Sequence, residues 1–264
     1  LHTMVYGEFI QSSQTKAAAL LTKLLPETLN CCYFVNSGTE ANEAAIKLVK
    51  RATGRKKIIS FIGSYHGSTT GSMAISYNEK KKSAFRPLMP GVEFIRLNNW
   101  EDLNLITDEI AGVFLETVQG DAGVRIPNPL YLAALRKKCT EVGSLLVFDE
   151  IQCGMGRTAK HFAFEHFNVI PDLLTLGKAL GGGLPIGCLV ANRNQMELLS
   201  FDPLLGHIST FAGHPIACAA AAAARGGGGR ECMSAGGWRG GGPTRAHTAS
   251  CARGSLTLSN RPTN

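Results

Sequence analysis

The sequence lacks the features that mark three common classes of protein. Its eight cysteines include no C-x-x-C pair, so they offer neither closely spaced zinc ligands nor the disulfide framework of a small secreted domain. No apolar run approaches the length of a membrane span, and the first residues carry no charged-then-apolar leader. These absences predict a cytoplasmic protein with reduced thiols, no metal site and no membrane contact.

A concentrated basic surface is also missing from most of the chain. The net charge is +7, but residues 225–264 contribute +5 of it, through six Arg against the single acid Glu231. In the first 224 residues Lys and Arg are mixed with acids, which is typical of solvated helix surfaces. The sequence therefore predicts no nucleic-acid partner.

Residues 225–264 differ in composition from everything before them. They hold ten of the 30 glycines and no Val, Ile, Phe or Tyr. We predict that this segment is disordered, either as a flexible basic tail or as the product of a reading frame lost after Ala224. The folded domain is expected within residues 1–224.

Short apolar runs alternate with helical patterns through residues 1–224. The runs lack polar alternation, as expected of strands that are covered on both faces. They lie at 31–35, 57–62, 92–97, 112–116, 144–148, 172–176 and 186–191. This alternation predicts a three-layer α/β domain with a mainly parallel sheet, in which ligands bind beyond the carboxyl ends of the strands.

Two ionisable residues stand at such strand ends. Asp149 follows the run 144–148, and Lys178 follows the run 172–176 just before three glycines at 181–183. Taken singly, Asp149 fits a helix cap or ion pair and Lys178 fits a surface lysine. Together they suit a pyridoxal cofactor, because a partly desolvated lysine can hold the aldehyde as an imine while the acid keeps the ring nitrogen protonated.

A candidate phosphate site lies between residues 36 and 42. These residues follow a predicted strand and open an amphipathic helix, so free N–H groups and the positive end of the helix dipole face an anion. Taken alone, a capping box from Ser37 to Glu40 explains the same residues without a ligand. Because Asp149 and Lys178 together already suit a pyridoxal cofactor, the phosphate interpretation is favoured over the capping box.

These residues belong to a series of seven motifs. In chain order they are S-G-T-E-A-N at 37–42, Y-H-G at 65–67, E-T-V-Q-G at 116–120, D-E-I-Q at 149–152, G-M-G-R-T at 154–158, L-G-K-A-L-G-G-G at 176–183 and H-I-S-T-F-A-G-H-P at 207–215. Their order and spacing resemble those of the class-III aminotransferases, the ornithine, acetylornithine, 4-aminobutyrate and ω-amino-acid group. The resemblance implies the α/β/α large domain of the aspartate-aminotransferase type (pyridoxal-phosphate fold type I), with a mostly parallel seven-stranded sheet.

The resemblance also implies roles for individual residues. The cofactor-binding set is Ser37, Gly38, Thr39, Tyr65, His66, Glu116, Asp149, Gln152, Lys178 and Thr210. Within it, Lys178 forms the Schiff base and moves a proton, Asp149 pairs with the pyridinium nitrogen, and Tyr65 stacks on the ring. Thr210 reaches the phosphate of a homodimer partner, and Asp121 occupies the place of a substrate-side acid.

Some features depart from the family pattern. Ser68 stands where ornithine- and acetylornithine-type enzymes carry an Arg, which favours the broader ω-amino-acid group. The family's N-terminal segment is expected before Leu1, and residues 225–264 stand where its small C-terminal domain is expected. The predicted domain is therefore a cofactor-binding large domain over residues 1–224.

The predicted function is transfer of an amino group between an amino acid or ω-amino compound and a 2-oxo acid, with pyridoxal phosphate as cofactor. Another reaction on the same cofactor, by an aminomutase or decarboxylase, and an inactive truncated fragment remain as alternatives. A dinucleotide site at G-M-G-R-T-A (154–159) is disfavoured, because no acid ends a second strand about twenty positions on. A P-loop is excluded at Lys178, which Ala179 follows.

Overall fold

A computed structural model describes residues 11–204 and 206–226. The predicted missing N-terminal segment and most of the predicted disordered tail lie outside these residues. The last described helix runs to Gly226, two residues past the predicted domain boundary. None of the helices in the described ranges is both long and apolar enough to cross a bilayer.

Seven strands in the described part of the chain form one sheet. They are β1 (Cys31–Val35), β2 (Lys57–Phe61), β3 (Val92–Ile95), β4 (Ile110–Glu116), β5 (Leu145–Asp149), β6 (Leu173–Leu176) and β7 (Gly187–Ala191), in the spatial order β1-β7-β6-β5-β4-β2-β3. Strand β7 is antiparallel to both of its neighbours, whereas the pairs from β6 to β3 are parallel. The predicted mostly parallel seven-stranded sheet is confirmed.

Helices cover both faces of this sheet. They are α1 (Ser12–Thr22), α2 (Gly38–Thr53), α3 (Thr70–Ile75), α4 (Glu79–Lys82), α5 (Pro129–Val142), α6 (Arg193–Glu197) and α7 (Pro215–Gly226). One apolar cluster joins α1, α5 and α7 to one face of the sheet, and a second joins α2, α3 and α6 to the other. Successive strand residues such as Val113 and Phe114 belong to opposite clusters, so both faces are apolar. The α/β/α fold class is confirmed.

Helix α2 begins and ends at local signals in the sequence. The Ser37 side chain accepts a hydrogen bond from the backbone N–H of Glu40 at the N-terminus, and Gly54 adopts φ 71° at the C-terminus. Midway along the helix, Val49 packs against Gly112 of β4, where a Cβ would lie 3.0 Å from the valine side chain. This close packing fixes α2 over the sheet, with its N-terminus beside the strand ends.

The carboxyl ends of the central strands carry the polar residues of interest. Glu116 and Asp149 are register partners at the last positions of β4 and β5. Lys178 follows β6, the next strand along the sheet, after Gly177. Three neighbouring strands therefore bring these groups to one edge of the sheet, as the general rule for parallel sheets predicts.

Candidate active site

A cavity of about 230 Å³ opens at this edge of the sheet. Its lining combines an amine, two carboxylic acids, an aromatic ring and the first turn of α2. The lining residues are Gly38, Thr39, Tyr65, His66, Gly67, Ser68, Glu116, Asp149, Ile151, Gln152 and Lys178. The structure thus places eight of the predicted site residues around a single hollow, although they come from distant parts of the chain.

Asp149 is held as the centre of a buried hydrogen-bond network. Its Oδ2 lies 2.7 Å from Nδ1 of His66 and accepts a bond from Nδ2 of Asn42 at 2.8 Å, while Oδ1 accepts from the backbone N–H of Ile151 at 3.0 Å. Asn42 is itself fixed, because its Oδ1 accepts a hydrogen bond from the hydroxyl of Thr175. Three hydrogen bonds therefore hold this carboxyl group in one orientation at the cavity.

The other nitrogen of His66 settles which tautomer the ring adopts. Nε2 is buried and has no hydrogen-bond partner within residues 11–204 and 206–226, and the ring packs edge-on against Phe114. A proton on Nε2 would therefore be a buried donor without an acceptor, which is costly. The Nδ1–H of the ring therefore faces Asp149 as the donor of this hydrogen bond.

Glu116 lies behind the cavity in a different environment. Its Oε1 accepts a hydrogen bond from the backbone N–H of Tyr65 at 2.9 Å. Burial is the main cause that raises the pKa of this carboxyl to about 7; the charge of Asp149 raises it further, and the nearby His66 opposes the rise. Glu116 therefore retains a proton to near neutral pH.

Lys178 begins a short 3₁₀ turn in an unusual backbone conformation. Its φ is 44°, in the left-handed region that non-glycine residues rarely adopt, and such residues are concentrated at functional sites. The side chain is exposed to the open cavity. Lys178 thus lines the cavity and is accessible from it.

The first turn of α2 provides the candidate anion site. The N–H groups of Gly38 and Thr39 stand in the first turn, where no intrahelical acceptor exists. The Thr39 hydroxyl lies 2.7 Å from that of Thr69, which in turn donates to Glu43. Within the described structure the Thr39 hydroxyl is thus already hydrogen-bonded, and the two backbone donors are the free groups. Ser37 caps the helix and does not line the cavity.

Two other predicted residues also stand outside the lining. Asp121 is exposed, and its Oδ2 pairs with Nζ of Lys81 at 3.1 Å. Thr210 is exposed in a loop that contacts the turn before α2, where Oγ of the preceding Ser209 accepts a hydrogen bond from Nδ2 of Asn36. Neither residue contacts the cavity directly.

Asn42 is the functional residue that the sequence reasoning did not single out. It is fully buried and bridges Asp149 to the backbone carbonyl of His66. A signal was present, because Asn42 lies on the apolar face of α2 next to Ala41, where a polar side chain needs a buried partner. The sequence did not identify that partner, which is 107 residues away.

Comparison with known proteins agrees with this geometry. Residues 1–225 match the class-III aminotransferase family. The chain is 45% identical over 200 residues to a LysW-aminoadipate semialdehyde/glutamate semialdehyde transaminase of Sulfolobus acidocaldarius, covering 76% of this chain and 51% of that protein. It is 44% identical over 216 residues to an acetylornithine aminotransferase of Methanopyrus kandleri, covering 80% and 54%.

Solved structures give the same result. An ornithine aminotransferase from Toxoplasma gondii superposes with a TM-score of 0.80 at 29% identity, over 87% of this chain and 56% of that one. A taurine:2-oxoglutarate aminotransferase from Bifidobacterium kashiwanohense, solved with pyridoxal phosphate and glutamate, gives 0.79 at 27% identity, over 88% and 58%.

The chain belongs to the class-III aminotransferase family, as its motifs predict. It spans about half the length of the curated relatives that it matches.

Proposed function

We propose that this chain is the cofactor-binding part of a pyridoxal-phosphate-dependent transaminase, which moves an amino group between an amino acid or ω-amino compound and a 2-oxo acid. The observation that carries the proposal is the convergence of Lys178, Asp149 and the N-terminus of α2 on one cavity. Family membership and the cofactor in the taurine aminotransferase structure support it.

The residues present fit this cofactor in three respects. The two free N–H groups of Gly38 and Thr39 suit a phosphate, which binds readily at helix N-termini. The carboxyl group of Asp149, oriented by three hydrogen bonds, suits a protonated ring nitrogen. Gly38 also lies so close to Ile151 that a Cβ there would come within 2.8 Å of its side chain, which leaves room only for backbone at this side of the cavity.

Each residue then has a defined task. Pyridoxal phosphate, when bound, supplies an aldehyde that captures amines and a ring that withdraws electrons. Nζ of Lys178 would bond to the cofactor and carry the proton that leaves the substrate carbon. His66 and Asn42 orient the carboxylate of Asp149. The ring of Tyr65 covers one side of the cavity, and Gln152 lies at its edge, beside Gly120.

The intact enzyme is proposed to be a cytoplasmic homodimer. In that dimer Thr210 would approach the phosphate in the partner's cavity, and its exposed position on a loop beside α2 supports this role. All six cysteines in the described ranges are free thiols, as expected in a reducing compartment.

Transfer of labelled nitrogen tests the proposed function. The chain is loaded with pyridoxal phosphate and given ¹⁵N-labelled 4-aminobutyrate, with and without 2-oxoglutarate. We expect ¹⁵N-glutamate only when the acceptor is present, and none from a Lys178→Ala variant. Product formed catalytically without an acceptor would instead favour a decarboxylase or aminomutase, and a chain that binds no cofactor would support the inactive-fragment alternative.

A further inference from the structure

A second cavity lies at the carboxyl edge of the sheet, apart from the cofactor cavity. It has a volume of about 340 Å³ and opens where β2 and β3 end. Its lining residues are Ile62, Arg96, Leu97, Asn98, Arg125 and Ile126, and the two cavities share no lining residue. Because ligands of α/β proteins bind beyond the carboxyl ends of strands, this cavity is a candidate for a second ligand site.

The lining combines an apolar surface with three side chains that can donate hydrogen bonds. Ile62, Leu97 and Ile126 supply the apolar part, and Ile126 is 60% exposed. Two guanidinium groups and one amide supply the donors, and none of the six lining residues, all within the described ranges, is an acid. Apolar walls with a few polar groups are the usual form of a small-molecule site of this size.

Arg125 is a cation without a partner in the part of the chain that the structure describes. Its guanidinium group makes neither an ion pair nor a hydrogen bond there. The backbone of Arg125 is nevertheless fixed, because it exchanges hydrogen bonds of 2.9 and 3.0 Å with the backbone of Gln119. Nη1 lies 3.4 Å from the point that a Cβ on Gly63 would occupy, so the guanidinium group lies over the turn after β2. It is therefore positioned at the cavity and free to bind a ligand.

Arg96 supplies a second cation, which an acid orients. Asp102 accepts hydrogen bonds from Nη2 of Arg96 at 2.6 Å and from Nε at 3.0 Å, and the Asp102 side chain is 10% exposed. This two-point contact fixes the plane of the guanidinium group and leaves Nη1 as a donor for a ligand. Since Asp102 balances the charge of Arg96, the charge of Arg125 makes the cavity cationic.

Asn98 adds a neutral donor between the two arginines' loops. Its Oδ1 accepts a hydrogen bond from the backbone N–H of Asn128 at 2.7 Å, which settles the orientation of the amide. Its Nδ2 reaches the carbonyl oxygen of Ile126 only at 3.5 Å, the limit of a hydrogen bond. The amide oxygen is thus committed to the protein, and the amide nitrogen can turn to an anion.

We propose that this cavity is a second binding site, separate from the cofactor site, for a small ligand that has a carboxylate or phosphate group and a short apolar portion. Arg125, Arg96 and Asn98 would hold the anion, because guanidinium groups match the oxygens of carboxylates and phosphates with parallel N–H donors. The three apolar lining residues would cover the rest of the ligand. The inference does not depend on amino-group transfer, since no residue of the cofactor cavity takes part.

Calorimetry with three ligands of equal chain length tests the site. The full chain is loaded with pyridoxal phosphate and freed of excess cofactor, and pentanoate, pentyl phosphate and pentanol are each titrated into it. We expect at least one of the two anions to bind about tenfold more tightly than pentanol, which has the apolar portion without the charge. The tighter anion identifies the preferred group. If neither anion binds more tightly than pentanol, the proposal is wrong.

Arg125→Met locates the bound anion. It removes the unpaired cation at an exposed position, so the fold should be unaffected, and it should weaken anion binding about tenfold through loss of a charge-assisted hydrogen bond. Arg193→Met is the matched control, because Arg193 is an exposed arginine on α6 outside this lining, and it should leave binding unchanged. Equal affinities of Arg125→Met and the wild-type chain would overturn the proposal. So would anion binding that is lost when the chain is loaded with cofactor, since the ligand would then lie in the cofactor cavity.

Ile126→Ser separates a built cavity from a charged surface. The variant should weaken binding of the preferred pentyl ligand about fivefold, because the apolar portion loses a contact. Binding of the matching anion without that portion, acetate or inorganic phosphate, should not change. If the pentyl ligand binds Ile126→Ser as tightly as it binds the wild-type chain, the arginines act as surface charges and no apolar-lined site exists.

Discussion

The ring of His66 donates its Nδ1 proton to the carboxylate of Asp149 across 2.7 Å, and both side chains are buried. The two residues are 83 positions apart in the chain, at the end of β5 and in the loop after β2. Among the described residues Nε2 of His66 has no hydrogen-bond partner, so the hydrogen bond of the ring there is the one to Asp149. This contact makes His66 a positioning residue for the acid on which the proposed chemistry depends.

Removing the His66 donor should destabilise the fold. We expect His66→Phe to lower the free energy of unfolding by about 1.5–3 kcal/mol, the usual contribution of a hydrogen bond to a charged group. Urea denaturation at neutral pH measures this loss. His66→Asn should retain more stability than His66→Phe, because an amide Nδ2 can occupy the position of Nδ1; equal losses in both variants would show that ring packing, not the hydrogen bond, matters.

The raised pKa of Glu116 predicts a pH-dependent stability. The folded protein keeps a proton on this carboxyl up to about pH 7, whereas the unfolded chain releases it near 4.5. The stabilising contribution of Glu116 to the free energy of unfolding is therefore fully present below pH 4.5 and is lost as the pH rises through 7. Glu116→Gln cannot ionise, so its stability relative to wild type should improve by up to about 3 kcal/mol between pH 5 and pH 8 in urea denaturation.

Glu109 provides a control of opposite sign. A hydrogen bond from Lys57 lowers the pKa of this exposed carboxyl, so its stabilising contribution is present above pH 4.5 and is lost as the pH falls. Glu109→Gln should therefore lose stability relative to wild type at pH 8 and not at low pH. If the stability of Glu116→Gln relative to wild type instead falls as the pH rises, as expected for Glu109→Gln, then Glu116 is not a buried, protonated carboxyl group.

Close packing at Gly38 predicts a coupled pair of substitutions. In Gly38→Ala the new methyl group would lie 2.8 Å from Cδ1 and Cγ2 of Ile151, and overpacking of this kind costs about 1–3 kcal/mol. The double variant Gly38→Ala with Ile151→Ala removes the obstacle. Thermal unfolding should show that the double variant loses less stability than the sum of the losses in Gly38→Ala and Ile151→Ala. Losses that simply add would mean that the two residues do not compete for space.

The sequence predicted the fold well because its signals are local. Seven apolar runs marked the seven strands, and every error was of one or two residues at a strand end. Boundaries depend on hydrogen bonds to neighbouring strands: Ile110 pairs with Lys57, which adds residues at the start of β4 that the apolar run did not include. The antiparallel direction of β7 likewise follows from its neighbours and not from its own residues.

The site was predicted less completely, for a physical reason. Lys178 and Asp149 stand at the ends of apolar runs in the sequence. A polar residue at the carboxyl end of a predicted strand indicates a ligand site. Asn42 meets Asp149 across 107 residues of sequence, and its place on the apolar face of α2 does not identify that partner. The contact depends on the packing of α2 against the sheet.

Covalent trapping of the cofactor tests the central claim most directly. The chain is mixed with pyridoxal phosphate, reduced with borohydride and digested, and the modified lysine is located by mass spectrometry. The convergence of Lys178, Asp149 and the α2 N-terminus predicts that the adduct lies on Lys178 and disappears in Lys178→Ala. An adduct on another lysine, with Lys178 unmodified, would contradict the assignment of this cavity as the active site.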